Sequence, residues 1–221
     1  RGDVYKRQAI DDYLQATDSP GLPRIGVLRG YFQENSDAET RSHTEGIVEK
    51  LSRAGAIIDE ITLADSIETA MDDQKVIMAV EGGAFHQEMY RTRSMEYQPM
   101  LREMLRLGLE TSGPDYSRAL ERRLRFVADM KEATGKVDVL LSPSTPTPAQ
   151  ADLTNTGSSI YQGPWTSCGI PAITIPSGLA STGLPFGIQL GSSHFQEAQL
   201  LAAARWCESA LDVQLTPPVA V

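Results

Sequence analysis

The sequence predicts an α/β fold in which a mixed β-sheet is flanked by helices, and three observations lead to this prediction. A strand–helix–strand pattern over residues 24–62 is typical of a βαβ unit with parallel strands. A glycine-containing turn at 178–183 lies between two further apolar strands, which favours a hairpin. Of the 20 basic and 29 acidic residues, only six lie beyond residue 136, and a charge-poor region of this kind is typical of buried strands.

The first half of the chain is predicted to hold two short strands and four helices. The strands span 24–28 and 56–62, and Ser36 with Glu39 forms a capping box for the helix between them. This helix carries an apolar stripe and ends at a glycine, in the order Ile47, Val48, Leu51, Ala54 and Gly55. Three more helices are predicted at about 66–95, 99–111 and 115–136, with Gly113-Pro114 separating the last two.

The second half is predicted to hold three strands and one helix. The strand at 138–141 ends at Ser142-Pro143, and the prolines that follow make 142–148 an extended loop. Strands are predicted at 172–176 and 185–191. In the second of these, bulky residues alternate with Gly187, Gln189 and Gly191, which gives one bulky and one thin face. Ser193 and Gln196 are expected to cap the last helix, whose apolar stripe is Leu200, Leu201, Ala204 and Leu211.

Composition excludes several functional classes. The net charge is −9 and the sequence pI is about 4.9, which disfavours general nucleic-acid binding. No stretch approaches the roughly 18 apolar residues of a membrane span. Cys168 and Cys207 are the only cysteines, so a disulfide-rich scaffold and a four-thiolate zinc site are both excluded. We therefore expect a reducing, cytoplasmic setting and no nucleic-acid or membrane partner.

The sequence contains no familiar cofactor or nucleophile motif. A phosphate-binding loop, a dinucleotide-binding fingerprint and a Gly-x-Ser-x-Gly elbow are all missing from it. His43, His86 and His194 each lack a second histidine at metal-ligand spacing. We expect no metal and no cofactor.

Individual nucleophile candidates are weak on residue grounds alone. Cys168 could be paired with His194, but a small residue packed in a tight turn is the simpler interpretation. Ser142 and Ser144 follow a strand, where active sites of α/β proteins gather, yet no base lies near them in sequence. We interpret these serines as structural.

The cationic residues offer no catalytic base that can be recognised from sequence. No lysine lies in a Gly/Ser-rich apolar loop that would lower its pKa; the lysines are Lys6, Lys50, Lys75, Lys131 and Lys136. An arginine cluster lies on the helix predicted at 115–136 and consists of Arg118, Arg122, Arg123 and Arg125. Nearby acidic residues favour a salt-paired surface over an anion site, and anion binding stays open.

Two segments resemble the C-terminal half of the amidase signature family. One is Val137–Pro146, leading to Ala149. The other runs from Gly169 to Gly191 and continues to Glu197 and Leu200-Leu201. The second is the more specific, because its order of Gly, Pro, Gln and Glu is hard to reach by chance. The resemblance covers the chain from about Arg24 onward and implies a large mixed sheet wrapped by helices.

The family resemblance also implies a chemistry. It uses a serine nucleophile, a second serine that relays a proton, and a lysine base, with backbone N–H groups stabilising the oxyanion. In the family these residues lie upstream of the position of Arg24, so no catalytic role is assigned to any residue of this chain. The resemblance implies residues 24–216 as the C-terminal portion of one amidase domain. We interpret 1–23 as a partly non-native leader and linker, since the chain starts at Arg1, and 217–221 as a tail.

The resemblance implies that this half lines the acyl side of a substrate pocket. By position, the candidates for substrate binding are Thr145, Ser159, Ile160, Trp165 and Ile170. The amidotransferase A subunits of the family carry an acidic residue near the position of Ser159, and a serine cannot supply that charge. A neutral or apolar acyl group is therefore expected, although core packing explains Ile160 and Trp165 equally well.

Three functions stay open at this point. The first is the C-terminal fragment of an amidase that hydrolyses a carboxamide to an acid and ammonia or an amine. The second is the A subunit of a glutamyl/aspartyl-tRNA amidotransferase, and the third is a non-catalytic α/β binding or scaffold domain. The expected partners are a small-molecule amide and the missing N-terminal half of the domain, with a homodimer left open. The isolated chain is expected to be inactive and poorly soluble, because its last strands lose sheet neighbours.

Overall fold

The computed structural model describes residues 12–18, 20–64, 66–151, 154 and 156–215. The strands are β1 (Arg24–Leu28), β2 (Ile57–Ile61), β3 (Val139–Pro143), β4 (Ala172–Leu179) and β5 (Pro185–Gly191). The helices are α1 (Tyr13–Asp18), α2 (Tyr31–Glu34), α3 (Ala38–Arg53), α4 (Ser66–Arg93), α5 (Pro99–Glu110), α6 (Gly113–Thr134), α7 (Gly163–Cys168) and α8 (Glu197–Leu211). The chain divides into two compact units, 1–63 with 130–221, and 64–129; we call them the sheet unit and the helical unit.

The sheet unit is built on one mixed sheet of five strands in the order β2-β1-β3-β5-β4. β1 pairs in parallel with β2 and with β3, as expected for a βαβ unit. β5 pairs antiparallel with β3 and with β4. The predicted fold class, the parallel pair and the hairpin are all confirmed.

One face of the sheet forms the main hydrophobic core with α3 and α8. Alternate strand residues such as Val27, Leu141 and Ile188 point into it, as the two-residue period of a strand requires. From α8, Leu200, Ala203, Ala204, Cys207 and Leu211 join this core. Most of the predicted α8 stripe is thus confirmed, and Leu201 is half-buried.

The ends of α3 and α8 differ from the sequence prediction. The N-cap of α3 is Asp37, whose Oδ1 accepts a hydrogen bond of 2.7 Å from the Thr40 N–H; a carboxylate caps a helix as well as a serine does. Ser36 is instead buried and bonded to Phe32 and Tyr161. Gln196 precedes α8 without a side-chain capping bond. The predicted capping boxes are therefore wrong.

Other departures concern short or irregular elements. Sequence reasoning missed α1, α2 and α7, because helices of four to six residues carry too little periodicity to be recognised. β4 extends to Leu179 through an irregularity between Pro176 and Gly178. Ala54 is exposed, since the α3 stripe ends one turn earlier. The predicted leader, 1–23, lies partly outside the described residues, and the predicted tail, 217–221, lies wholly outside them.

The helical unit packs α4 closely against α5. A Cβ added at Gly108 would lie 1.8 Å from the Ala79 carbonyl oxygen, so glycine is required at this crossing. Buried Asp73 of α4 pairs with Arg122 of α6. Among the described residues, no helix is long and apolar enough to cross a membrane.

Candidate functional site

On β5, the face opposite the α3 and α8 core carries small and polar residues, and we call it the thin face. Gly187, Gln189 and Gly191 alternate with core residues along β5, as predicted. α7 covers part of this face, since a Cβ added at Gly191 would lie 2.4 Å from the Trp165 ring. Glycine at 191 therefore lets the indole lie directly on the strand.

An aromatic cluster holds α2 and the segment before α7 together. The ring of Phe32 lies 5.0 Å from that of Tyr161 and 6.3 Å from that of Trp165. The Tyr161 hydroxyl donates to the Phe32 carbonyl and is 2.9 Å from the Ser36 Oγ. Burial raises the pKa of Tyr161 to about 12, so the phenol stays neutral and works as a structural donor.

A cavity of about 370 Å³ opens where β3 runs into the proline-rich loop. It is lined by Ser144–Gln150, Thr156–Ser159, Gln162 and Pro185. The cavity brings together two residues predicted from sequence, Thr145 and Ser159. It lies beside the thin face, since a Cβ added at Gly187 would lie 2.9 Å from the Oγ of Ser144, a lining residue.

Local hydrogen bonds fix the cavity loop. The Gln162 side-chain amide donates to the Ser144 carbonyl, and the Thr145 hydroxyl donates to the Thr147 carbonyl at 2.8 Å. The Pro146 carbonyl accepts from the Asp37 N–H at 2.9 Å. These bonds tie the loop to α3 and to the segment before α7, which gives a binding surface set by a rigid scaffold.

The chemistry of the lining is neutral and polar. Hydroxyl groups come from serines and threonines, amides come from Gln150 and Gln162, and none of the described lining residues carries a formal charge. Such a lining can bind an uncharged polar group through hydrogen bonds, but it offers no counter-charge to an ammonium or a carboxylate.

The other residues predicted to bind substrate lie elsewhere. Trp165 is 2% exposed and Ile170 is 7% exposed, so both are packed inside the sheet unit. Ile160 is half-buried and does not line the cavity. Gln162 was not selected from the sequence, because a single glutamine in a Gly/Pro-rich stretch gives no pattern to recognise.

Two buried polar atoms near the thin face lack a hydrogen-bond partner among the described residues. They are the Trp165 indole N–H and the Gln189 side-chain Oε1. Buried polar atoms are nearly always hydrogen-bonded in folded proteins. Both atoms are enclosed by the sheet unit, since Trp165 is 2% exposed and Gln189 is 6% exposed.

The weak nucleophile candidates remain structural in the fold. His194 Nε2 is 3.0 Å from the Cys168 carbonyl oxygen, so the contact joins the ring to the backbone of α7. Cys168 itself is buried. The Ser142 hydroxyl is fully buried and donates to the Pro143 carbonyl at 3.0 Å. These arrangements support the packing interpretation.

The lysines do not form a catalytic group in the described part of the chain. Lys50 donates to the Leu211 carbonyl, Lys75 pairs with Asp72 and Lys136 pairs with Glu132. No group of three or more metal-binding side chains was found among these described residues either.

The arginine cluster is largely salt-paired. Arg118 pairs with Asp115, Arg122 with Asp73 and Arg125 with Glu121. These pairs support the interpretation as a salt-paired surface, because the guanidinium groups are already matched by carboxylates.

Comparison with known proteins identifies the family. The profile of the Amidase family matches residues 3–201. The chain belongs to the amidase family. It is 31% identical over 231 residues to the A subunit of the glutamyl-tRNA(Gln) amidotransferase of Koribacter versatilis, covering 88% of this chain and 48% of that relative. The corresponding protein of Desulfotalea psychrophila is 32% identical over 240 residues, covering 94% and 49%.

Solved amidase structures share the fold. The chain matches a crystal structure of an amidase with a TM-score of 0.79 at 22% identity, covering 87% of this chain and 47% of that one. The peptide amidase from Stenotrophomonas maltophilia matches with a TM-score of 0.72 at 20% identity, covering 96% and 48%. The chain thus spans about half the length of the amidase relatives it matches.

Proposed function

We propose that this chain forms the substrate-lining half of an amidase that hydrolyses carboxamides with a neutral, polar acyl group. The observation that carries the proposal is the cavity beside the thin face, whose described lining, including Thr145, Ser159 and Gln162, is uncharged. Membership of the amidase family supports amide chemistry. The chain spans about half the length of the relatives it matches, which supports a catalytic centre supplied by the other half of the domain.

In this proposal the chain binds and orients the substrate. Hydroxyl and amide groups of the cavity hold the acyl portion while the serine nucleophile attacks the amide carbonyl from the other half of the domain. The attack forms an acyl-enzyme and releases ammonia or an amine, and water then cleaves the acyl-enzyme. The cavity contributes affinity and orientation, and the supplied half contributes the base and the oxyanion donors.

The outer edge of β4 is the proposed contact for that catalytic half. Its support is the position of β4 at one end of the sheet. A strand there presents free backbone groups that a further strand can pair with. Both cysteines are buried and neither is in a disulfide bond, which fits the proposed cytoplasmic location.

The first experiment compares the 221-residue chain with the complete protein encoded by its gene. Both are tested for hydrolysis of a panel of neutral and charged amides and for labelling by a fluorophosphonate. We expect the complete protein to hydrolyse neutral polar amides and to be labelled at a serine outside these 221 residues. Labelling of the 221-residue chain, or a complete protein inactive on every amide, would contradict the proposal.

A pair of variants tests the role of the cavity. Both variants are made in the complete protein. Ser159→Asp places a negative charge in the lining, so kcat/KM for neutral amides should fall at least about tenfold, a loss of roughly 1.4 kcal/mol of transition-state binding. Amides with a free amino group in the acyl portion should be affected less. The matched control is Ser209→Asp on the exposed surface of α8, which should leave both classes unchanged. If the two variants had equal effects, the assignment of Ser159 to the substrate site would be contradicted.

An amidotransferase A subunit is the second candidate, favoured by the names of the relatives. Such a protein would pass ammonia on to an acceptor instead of releasing it. The complete protein should then hydrolyse glutamine preferentially and co-purify with other subunits. The described part of the lining favours the first candidate, because glutamine carries an ammonium and a carboxylate that need counter-charges and these residues supply none.

A further inference from the structure

An apolar stripe on α4 changes from buried to exposed half-way along the helix. Ile67, Met71, Met78, Phe85 and Met89 are spaced by four or seven residues, so they share one face. Ile67 and Met71 are 3% and 8% exposed. Met78, Phe85 and Met89 are 48%, 85% and 41% exposed. The second half of the stripe is therefore uncovered, although its composition is that of a buried helix face.

A second exposed stripe lies on α5. Met100, Met104 and Leu107 are spaced by four and three residues and share a face. Met100 is 89% and Leu107 is 49% exposed, and Met104 is half-buried. Methionine side chains are flexible and polarisable, and they are over-used at surfaces that bind other proteins.

The two stripes lie side by side. A Cβ added at Gly82 would lie 3.4 Å from the Met104 Cε, and Gly108 crosses α4 at Ala79. As α4 runs from Ala79 to Gly82, its contact on α5 moves back from Gly108 to Met104. The two helices are therefore antiparallel, and their stripes lie next to each other. We call the combined surface the methionine face: Met78, Phe85 and Met89 of α4 with Met100, Met104 and Leu107 of α5.

The area of the methionine face matches one side of a dimer interface. Its exposed fractions amount to about three complete side chains, or roughly 400 Å² of apolar surface. A standard interface buries about 800 Å² on each partner, a little over half of it apolar. A patch of this size is also at the level where monomers carry functional surfaces.

Charges of both signs lie beside the face, where three arginines pair with four glutamates. The arginines nearby are paired within the helical unit, as Arg91–Glu88, Arg93–Glu96 and Arg106 with Glu103 and Glu110. A rim of one sign would repel a second copy of itself, whereas this paired rim does not. Binding to an anionic lipid surface would need an excess of Lys or Arg, which these pairs neutralise.

We propose that the methionine face is the interface of a homodimer, in which a second copy of this chain packs its own methionine face against it about a two-fold axis. The same patch then serves both partners, as a two-fold interface requires. Phe85 and Met100 are its proposed anchors, because they are the most exposed members and have the most surface to bury. The dimer is independent of the proposed amidase activity and can be tested without it.

Sedimentation velocity of the complete protein, which includes the proposed catalytic half, over a wide concentration series tests the proposal. We expect a monomer–dimer equilibrium, and the double variant Phe85→Glu/Met100→Glu should raise the dimer Kd at least about 100-fold. The matched control is Leu179→Glu, an equally apolar residue that is 56% exposed on β4. It should leave the Kd unchanged. All variants should keep the far-UV spectrum of the parent.

Three outcomes would overturn the proposal. The first is a chain that stays monomeric at every concentration. The second is a dimer that survives the double variant but dissociates with Leu179→Glu, which would place the interface at the sheet edge. The third is a monomer that co-sediments with phosphatidylcholine vesicles through Phe85. A photo-crosslinking residue at position 85 should attach to residues 78–107 of a second copy, and attachment elsewhere would also contradict it.

Discussion

Apolar residues are buried in β3, the central strand of the sheet unit, but many are exposed on α4 and α5 of the helical unit. All five residues of β3 are buried, whereas Met100 of α5 is 89% exposed. β3 has a strand on each side, and both of its faces are covered. Each apolar stripe of the helical unit is covered only on the side where α4 and α5 pack together. Apolar content alone therefore does not determine burial; a residue is buried when layers meet on that side.

Each of the two units contains one glycine at which a neighbouring group comes unusually close. In the sheet unit Gly191 accepts the Trp165 ring, and in the helical unit Gly108 accepts the backbone of α4. The neighbour at Gly191 is a side chain and the neighbour at Gly108 is a backbone carbonyl. Because a backbone carbonyl in a helix cannot move aside alone, the helical unit should be the less tolerant of an added methyl group.

Gly108→Ala is expected to have the largest effect. The new Cβ would overlap the Ala79 carbonyl, so α5 must move away from α4, and we expect a loss of about 3 kcal/mol in the free energy of unfolding. Denaturant titration followed by far-UV circular dichroism measures this loss.

Gly46→Ala is the matched control for that substitution. Gly46 also lies inside a helix, α3, but nothing stands within 4 Å of an added Cβ. Alanine should therefore stabilise the chain by about 1 kcal/mol through its helix propensity. If both variants were stabilised, the close crossing of α4 and α5 would be refuted.

Tyr161→Phe is expected to have an intermediate effect, in the sheet unit. It removes a buried hydroxyl that bonds the Phe32 carbonyl and Ser36, at a cost of about 1 kcal/mol. The carbonyl keeps the bond from Ser36, which holds the loss near this lower value. Tyr13→Phe, at an exposed position of α1, should leave the stability unchanged.

The pH dependence at high pH checks the same residue. Since the pKa of Tyr161 is raised to about 12 in the folded state, the unfolded chain loses this proton first as the pH rises above about 10. The wild type should therefore lose stability above that pH more steeply than Tyr161→Phe. Parallel curves would mean that the phenol is not buried.

Sequence patterns predicted the strands best, because each strand is marked by a local run of apolar residues bounded by turn residues. The alternation of Gly187, Gln189 and Gly191 with bulky residues predicted a thin face, and the structure has it. The site was predicted only in part. Thr145 and Ser159 line one cavity, as predicted by their shared assignment. Gln162 also lines it, and its side chain bonds the Ser144 carbonyl. That bond forms only because α7 folds back over the sheet. Contacts between distant segments leave no periodic trace in a sequence.

His43→Gln is expected to have the smallest effect, seen as a change in pH dependence. His43 lies on α3 with its Nε2 2.8 Å from the Ser177 Oγ and its ring stacked 4.3 Å from Phe186. Burial lowers the pKa of His43, and the carboxylate of Glu39 opposes that shift. The folded state therefore favours the neutral ring.

The sign of the effect follows from this lowered pKa. Above the unfolded pKa of about 6.5 the contribution of His43 to stability is fully present. As the pH falls below that value, the unfolded chain takes up the proton first, and stability is lost. The wild type should thus lose more stability than His43→Gln between about pH 7 and pH 5, by less than about 1 kcal/mol because solvent reaches part of the ring. Ser177→Ala keeps the ring buried and should keep the slope; a flat slope in that variant would assign the shift to the hydrogen bond instead of to burial.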